Sequence, residues 1–156
     1  MLGYCHLPRS VGANGARDAD DGGAPHRVKL QTRAYIAKAR ESLASAESEL
    51  SARRFSSSGS RAYYAAFQAA VALLIENGIK PRGNSWEHKH VLSEFSGKLI
   101  RRRKVVPSKF KGTLSALLEL RIVADYKVRP LSRREAAEMR REAGALVTHA
   151  VEQLGD

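Results

Sequence analysis

The sequence predicts an all-α protein: an up-and-down bundle of about five helices that follows a disordered tail. Apolar residues recur at intervals of three and four over most of the chain after residue 28, which is the spacing of amphipathic helices. No segment alternates between apolar and polar residues with the period of two that is typical of a half-buried strand. No Asn-Gly or Asp-Gly pair lies between strand-like runs, so no hairpin is predicted.

The chain of 156 residues is long enough for one domain, and its hydrophobic fraction of 43% is enough for a core. Residues 1–27 differ from the rest because they hold five of the twelve glycines and show no apolar periodicity. Such a segment cannot bury enough surface to offset its ordering entropy, so we predict a disordered tail over 1–27 and a helical bundle domain over 28–156. A natural start near Val28 is the alternative interpretation of this tail.

The first two helices are predicted on either side of a serine-rich break. The first spans about 29–53, with the apolar stripe Ile36, Ala39, Leu43, Ala46 and Leu50. The segment 55–59 (Phe-Ser-Ser-Ser-Gly) is predicted to end it and to supply N-cap hydroxyl groups to the second helix. That helix contains SRAYYAAFQAAVALL (60–74), which is apolar on almost every side, and ends at Asn77-Gly78. We expect it to lie at the centre of the bundle.

Three more helices follow. The third is predicted from Asn84-Ser85 to about Ile100, and the fourth over about 107–125 with Pro107 in its first turn. The fifth opens at Ser132 with the capping-box pattern S-x-x-E. Its apolar stripe consists of Ala136, Met139, Ala143, Leu146, Ala150 and Leu154.

The charge balance suggests an anionic partner. The chain has 27 Lys and Arg against 16 Asp and Glu, a formal net charge of +11, which suits nucleic acid, an acidic protein or a membrane surface. The alternative is the Arg-rich and Ala-rich composition of a GC-rich genome.

The single cysteine, Cys5, excludes an intramolecular disulfide and a cysteine-based zinc site, and it suggests a reducing compartment. His88 and His90 lie two residues apart and point to different sides of a helix, so we expect no metal and no cofactor. There is no apolar run of 18 residues and no basic start followed by an apolar core. We therefore expect no membrane span, no secretory signal and a cytoplasmic location.

Three motifs occur in helices that follow one another along the chain: SRAYYAAFQAAVALL (60–74), HKHVLSEF (88–95) and LRIVADY (120–126). In this order they resemble the HEPN domain (higher eukaryotes and prokaryotes nucleotide-binding), over about residues 30–154. The similarity is to the small prokaryotic branch with S-R-A-Y-Y-A-x-F, a helix that starts with H-K, and R-x-x-A-D-Y.

The resemblance implies a bundle that dimerises through its central helices. It also implies RNA or nucleotide binding in a dimeric arginine cleft, and a partnership with a minimal nucleotidyltransferase as a toxin–antitoxin or defence pair. Catalytic members cleave RNA without a metal, through an Arg that is followed four to six residues later by a His. In some toxins of the family the partner adenylylates a tyrosine near this motif.

The chain departs from the catalytic motif after Arg121, because residues 122–130 contain no histidine and the spacing ends on Asp125 and Tyr126. An ordinary phenol, with a pKa of about 10, removes a hydroxyl proton poorly. Arg121, Asp125 and Tyr126 are therefore catalytic candidates without an assigned role, and RNA cleavage is less expected than binding. A metal-independent endoribonuclease toxin and a protein-interaction bundle are the alternatives.

Each candidate residue also has a structural interpretation. Arg121 lies on the apolar side of its helix, so it forms either a salt bridge, for example with Asp125, or a phosphate-binding group. Tyr126 either packs at the helix end, or is the modification site, or stacks on a base. Tyr63 and Tyr64 are predicted to belong to the core and the dimer interface, and His88 is predicted to be structural.

The run from Lys98 to Lys111 (KLIRRRKVVPSKFK) holds seven basic residues and no acidic one. Such a run is either a solvated loop or a surface where phosphate contacts relieve the mutual repulsion of the charges. No aromatic platform accompanies it, so we expect recognition of the backbone and shape of a nucleic acid. The predicted nucleic-acid-binding residues are Arg101, Arg102, Arg103, Lys104, Arg121, Lys127 and Arg129.

Overall fold

The computed structural model is an α-helical bundle, as the sequence predicts, and it describes residues 5–6 and 23–155. Its α-helices are α1 (Gly23–Ser51), α2 (Phe55–Glu76), α3 (His88–Glu94), α4 (Thr113–Tyr126) and α5 (Arg133–Leu154). A π-helix (Phe95–Arg102) continues α3, and a 3₁₀ turn (Ser108–Phe110) precedes α4. Two short strands, β1 (Cys5–His6) and β2 (Ser85–Trp86), pair in antiparallel orientation.

The disordered tail predicted over residues 1–27 lies for the most part outside the described residues, and α1 begins at Gly23, earlier than predicted. Within the described ranges, no helix combines the length and the apolar character that crossing a bilayer requires.

Helix α2 is the centre of the bundle. Fourteen of its 22 residues are buried, and it packs against α1, α5, α4 and α3. Tyr63, Phe67 and Leu74 have no exposed surface, and alanines between them let the neighbouring helices approach closely. Each fully buried large apolar side chain contributes about 1.5–3 kcal/mol, so α2 supplies much of the free energy that holds the bundle together.

The serine-rich break differs from the prediction. The chain reverses at Arg53, whose φ of 62° is left-handed, and α2 begins at Phe55 without any side-chain cap hydrogen bond. The Ser58 hydroxyl instead donates to the Ala46 carbonyl at 2.8 Å, and the Ser56 hydroxyl accepts from the backbone N–H of Leu131. The prediction of N-cap hydroxyls was therefore wrong, because these serines lie inside the helix and bond to neighbouring elements.

Gly59 packs tightly against Leu131 and Met139, at and just before the start of α5. A Cβ atom at this position would lie 2.4 Å from Leu131 Cδ1 and 2.8 Å from Met139 Sδ. Both of those side chains are buried, so they have little room to move aside. Glycine is therefore the residue that this contact allows.

The ends of α2 and α5 follow the sequence signals. Gly78, with a φ of 76°, follows the last turn of α2, and the Asn77 side chain donates to the Leu73 carbonyl. At the start of α5 the predicted capping box is confirmed: Glu135 N–H donates to Ser132 Oγ at 3.1 Å, and Ser132 N–H donates to Glu135 Oε1 at 3.0 Å.

The predicted third and fourth helices are each divided. The predicted start of the third at Asn84-Ser85 was wrong, because Ser85 and Trp86 form β2 and α3 begins at His88. The helix changes to π geometry at Phe95, and its Leu99 carbonyl then accepts from the backbone N–H groups of Val105 and Val106. The predicted start of the fourth helix fails because Pro107 has an extended ψ of 144°. Helix α4 begins six residues later, at Thr113.

Candidate functional site

Arg121 is a buried cation on the inner face of α4. Leu117 and Leu114 lie on the same face, one and two turns earlier, and both are buried. The side chain of Arg121 is only 8% exposed. A guanidinium group at this depth needs partners, since an unpaired buried charge is costly.

The partners of Arg121 come from α2 and from its own helix. Its Nη2 donates to the Tyr64 hydroxyl at 2.9 Å, and its Cζ lies 4.9 Å from the centre of the Tyr64 ring and 5.5 Å from that of Tyr63. Its Nε lies 3.1 Å from Asp125 Oδ2, one helical turn further on. The salt bridge that the sequence suggested is therefore present, and two tyrosine rings add cation–π attraction.

These contacts leave part of the guanidinium unused. A guanidinium carries five N–H groups, and Nε and Nη1 of Arg121 make no hydrogen bond with the described residues although both atoms are buried. Leaving a buried donor without an acceptor costs about 1–3 kcal/mol. The Arg121 cluster, which we define as Arg121, Tyr63, Tyr64 and Asp125, therefore offers donors to a further acceptor.

His88 lies behind the Arg121 cluster. Its Nδ1 is hydrogen-bonded to the Tyr63 hydroxyl, its ring packs 4.7 Å from that of Phe67 and 6.3 Å from that of Tyr64, and 3% of it is exposed. The structure thus brings an imidazole next to Tyr63, whose ring lies 5.5 Å from Cζ of Arg121. This contact could not be predicted from the sequence, because His88 and Tyr63 lie 25 positions apart.

The far end of α4 is exposed. The Asp125 side chain is 31% exposed and Tyr126 is 58% exposed, and Lys127 is also exposed. Arg129 is bound through both of its terminal nitrogens to the Glu135 carboxylate, at 2.8 and 3.1 Å. Tyr126 and Lys127 are therefore accessible, whereas Arg129 already stabilises the start of α5.

The Arg129 fork also sets the charge state of Glu135. Arg129, followed by the backbone N–H of Ser132, lowers the pKa of Glu135 to about 2.

The π-helix carries the basic run. Lys98, Arg101 and Arg102 line an open groove together with Gly97 and Glu94, and Lys98 forms an ion pair with Glu94 at 2.7 Å. Arg101 and Arg102 are exposed and form no ion pair with any described residue. We define the basic groove as Glu94, Gly97, Lys98, Arg101 and Arg102.

Arg103 and Lys104, which come next in the basic run, differ from Arg101 and Arg102. Arg103 Nη1 donates to the carbonyl of Asn77 and so binds the end of α2. Lys104 has a left-handed φ of 54° where the chain leaves the π-helix, and it is exposed.

The candidate binding residues thus include two groups, the Arg121 cluster and the basic groove. The Arg121 cluster lies on α2 and α4, whereas the arginines of the basic groove lie on the π-helix. The described residues also include no group of three or more His, Cys, Asp or Glu side chains arranged to hold a metal ion.

Comparison with known proteins places this geometry in a family. The family model of the HEPN domain matches residues 32–154. The crystal structure of TT1696 from Thermus thermophilus is similar, with a TM-score of 0.62 and 22% sequence identity over 78% of this chain and 97% of that one, which shows a shared fold. A search of the curated proteins gives no match. The match of the family model over most of the chain, in a bundle of this architecture, means that the protein belongs to the HEPN domain family.

Proposed function

We propose that this HEPN protein binds RNA or a nucleotide through an arginine cleft in a homodimer, and that it forms a toxin–antitoxin or defence pair with a minimal nucleotidyltransferase. The observation that carries the proposal is the Arg121 cluster. It holds a nearly buried guanidinium with two nitrogens that have no hydrogen-bond partner among the described residues.

Phosphate suits this guanidinium for chemical reasons. The planar fork of an arginine matches the oxygens of a phosphate group, and charge-assisted bonds of this type are about twice as strong as neutral ones. The tyrosine rings of α2 hold the guanidinium in place before a ligand arrives, so little side-chain freedom is lost on binding. Binding is thus favoured by preorganisation as well as by charge.

The basic groove supports contact with the backbone of a longer nucleic acid. Arg101 and Arg102 are exposed and unpaired with described residues, and the chain carries a net charge of +11. Neutralising phosphates with these side chains releases counterions, which makes the affinity fall steeply as salt is added.

Anisotropy with a labelled, unstructured RNA over a range of salt concentrations tests the binding proposal. Replacing Arg101 and Arg102 together by alanine should weaken binding uniformly across sequences and reduce the salt slope by about 1.4, for two lost contacts to a single strand. The double variant Arg133→Ala and Arg134→Ala is the matched control, since it removes two neighbouring exposed arginines from the start of α5. Affinity that is flat with salt and equal in both double variants would contradict the proposal.

The dimer has its own test. Ile122 and Val123 at the end of α4 are only partly buried and Tyr126 is 58% exposed, so an apolar edge borders the Arg121 cluster. Light scattering should give twice the mass of 17.1 kDa. A monomer at micromolar concentration would remove the dimeric cleft from the proposal and leave binding by one chain.

The proposed partner has a chemical signature. Tyr126 is accessible, and the cation of Lys127 beside it favours an attached phosphate group. Co-expression with a nucleotidyltransferase encoded beside this protein, followed by mass spectrometry, should find AMP on Tyr126 and none on the Tyr126→Phe variant. Unmodified wild-type protein would contradict the role of Tyr126 as a target.

Metal-independent RNA cleavage is the second candidate, and the observation in its favour is the imidazole of His88 beside the tyrosines that hold Arg121. Since His88 is 3% exposed, its access to a ribose hydroxyl is poor and we expect no cleavage. Incubation of the pure protein with long RNA tests this, with Arg121→Ala as the control. Cleavage by the wild type that the variant lacks would favour the endoribonuclease.

A further inference from the structure

We propose that the Arg121 cluster takes a phosphate monoester, and that the carboxylate of Asp125 is the group that the phosphate displaces. This inference rests on the proposed function, since it names the ligand class of the arginine cleft. It follows from a difference between the two charged groups. The guanidinium of Arg121 is held in place by α2, whereas the carboxylate of Asp125 can rotate away.

The cation is fixed by α2. Arg121 donates to the Tyr64 hydroxyl, lies over the rings of Tyr63 and Tyr64, and is 8% exposed at its side chain. Its Nε is 3.1 Å from Asp125 Oδ2, but neither this nitrogen nor Nη1 makes a hydrogen bond of good geometry with the described residues. The ion pair with Asp125 therefore supplies charge without satisfying the donors.

The anion is the movable member of the pair. Asp125 lies one turn beyond Arg121 in the last turn of α4, and its side chain is 31% exposed. Rotation of this short side chain turns its carboxylate toward water and leaves the backbone of α4 unchanged. In the proposed exchange a phosphate oxygen takes the place of Asp125 Oδ2 beside Nε of Arg121.

The balance of charge selects the ligand. A phosphate diester has one negative charge, as Asp125 has, so its exchange for the carboxylate gains little. A monoester carries about −1.5 to −2 charges at neutral pH and three strong acceptor oxygens, so it competes better. A terminal group also reaches a side chain that is 8% exposed more easily than the middle of a strand does. The monoester is either a free mononucleotide or the 5′ end of an RNA.

The experiment measures anisotropy of a short RNA labelled at its 3′ end, made with either a 5′-phosphate or a 5′-hydroxyl group. The wild type should bind the 5′-phosphate form more tightly, and Arg121→Lys should lose this preference because a lysine has no fork. Asp125→Asn should tighten binding of the 5′-phosphate form about tenfold and leave the 5′-hydroxyl form nearly unchanged.

Glu119→Gln is the matched control, since it removes the same unit charge from an exposed position on the same helix. It should change either affinity less than about twofold, because separated surface charges are screened. Asp125→Glu keeps the charge and should bind as the wild type does. Asp125→Ser is a second neutral variant if Asp125→Asn fails to fold, as judged by thermal unfolding.

The outcomes separate the two proposals. Equal affinities for Asp125→Asn and Glu119→Gln would overturn the displacement by a monoester, and so would the lack of a preference for the 5′-phosphate in every variant. If the affinity still depends on salt and on the basic groove, the proposal of RNA binding is unaffected. Absence of RNA binding in all variants would overturn both. Competition by AMP supports a mononucleotide ligand, and tight binding of the 5′-phosphate RNA that AMP does not reduce supports an RNA end.

Discussion

Replacing Glu135 by glutamine removes the charge of this side chain and keeps its capping hydrogen bond. Arg129 and the backbone of Ser132 lower the pKa of Glu135 from 4.5 to about 2, which corresponds to at most about 3 kcal/mol. The side chain is 27% exposed, so solvent screening reduces the expected loss to about 1–2 kcal/mol at pH 7. A glutamine keeps the oxygen that accepts from Ser132 N–H, so the loss measures the ion pair with Arg129.

The sign of the pH dependence follows from the lowered pKa. Because folding lowers the pKa of Glu135, its stabilisation is complete above about pH 4.5 and is lost as the pH falls toward about 2. Urea unfolding at pH 7, 5, 4 and 3 should therefore show the difference between wild type and Glu135→Gln shrinking below pH 5.

Ser132→Ala provides the comparison for this pH series, because it removes the cap and should cost about 1 kcal/mol at each pH. The difference in the free energy of unfolding between wild type and Glu135→Gln could also stay constant from pH 7 to pH 3. This result would refute the conclusion that the ion pair with Arg129 provides the stabilisation.

Three further predictions concern the packing of the bundle. Gly59→Val should destabilise the fold by about 1–3 kcal/mol because its new side chain would overlap buried neighbours, whereas Gly144→Ala, with a nearest contact of 3.9 Å, should stabilise it by about 0.5–1 kcal/mol. Ser58→Ala should cost about 1 kcal/mol through the lost bond to α1, and the exposed Ser57→Ala should stay within about 0.5 kcal/mol of wild type. Urea unfolding measures the free energy of unfolding of both variants in each pair. Equal values for the two glycine variants would contradict the tight packing at Gly59, and equal values for the two serine variants would contradict the bond of Ser58 to α1. Burial lowers the pKa of His149, so protonation opposes folding, and stability should decline as the pH falls below about 6.5. Melting temperatures between pH 8 and pH 5 should show a smaller decline for His149→Leu, and identical slopes would refute this.

Features that depend on neighbouring residues could be predicted from the sequence. The capping box at Ser132 involves residues three positions apart, and the pair of Arg121 with Asp125 involves one helical turn. The central place of α2 follows from its composition, since a helix that is apolar on all sides has to be covered. The HEPN resemblance agrees with the family match over residues 32–154.

Features that depend on distant residues could not be predicted. The Tyr64 hydroxyl and Arg121 lie 57 positions apart, and Arg103 binds a carbonyl 26 positions earlier. Nothing in a local pattern distinguishes these contacts from solvent exposure. The π-helix was missed for a related reason: it differs from an α-helix by a hydrogen bond to one residue further, and the spacing of its apolar residues is nearly the same.

The π-helix is more sensitive to a change in its length than to a substitution of its exposed side chains. Leu99 and Ile100 are buried in the core, and Arg101 and Arg102 follow them directly on the surface. Deleting one residue, such as Gly97, would rotate everything after it by about a quarter of a turn around the helix axis and would turn these apolar side chains away from the core. Substitutions at Arg101 and Arg102 leave that alignment unchanged. Natural or laboratory evolution can therefore retune the charge of the groove freely, whereas insertions and deletions in this segment would be eliminated because they disrupt folding.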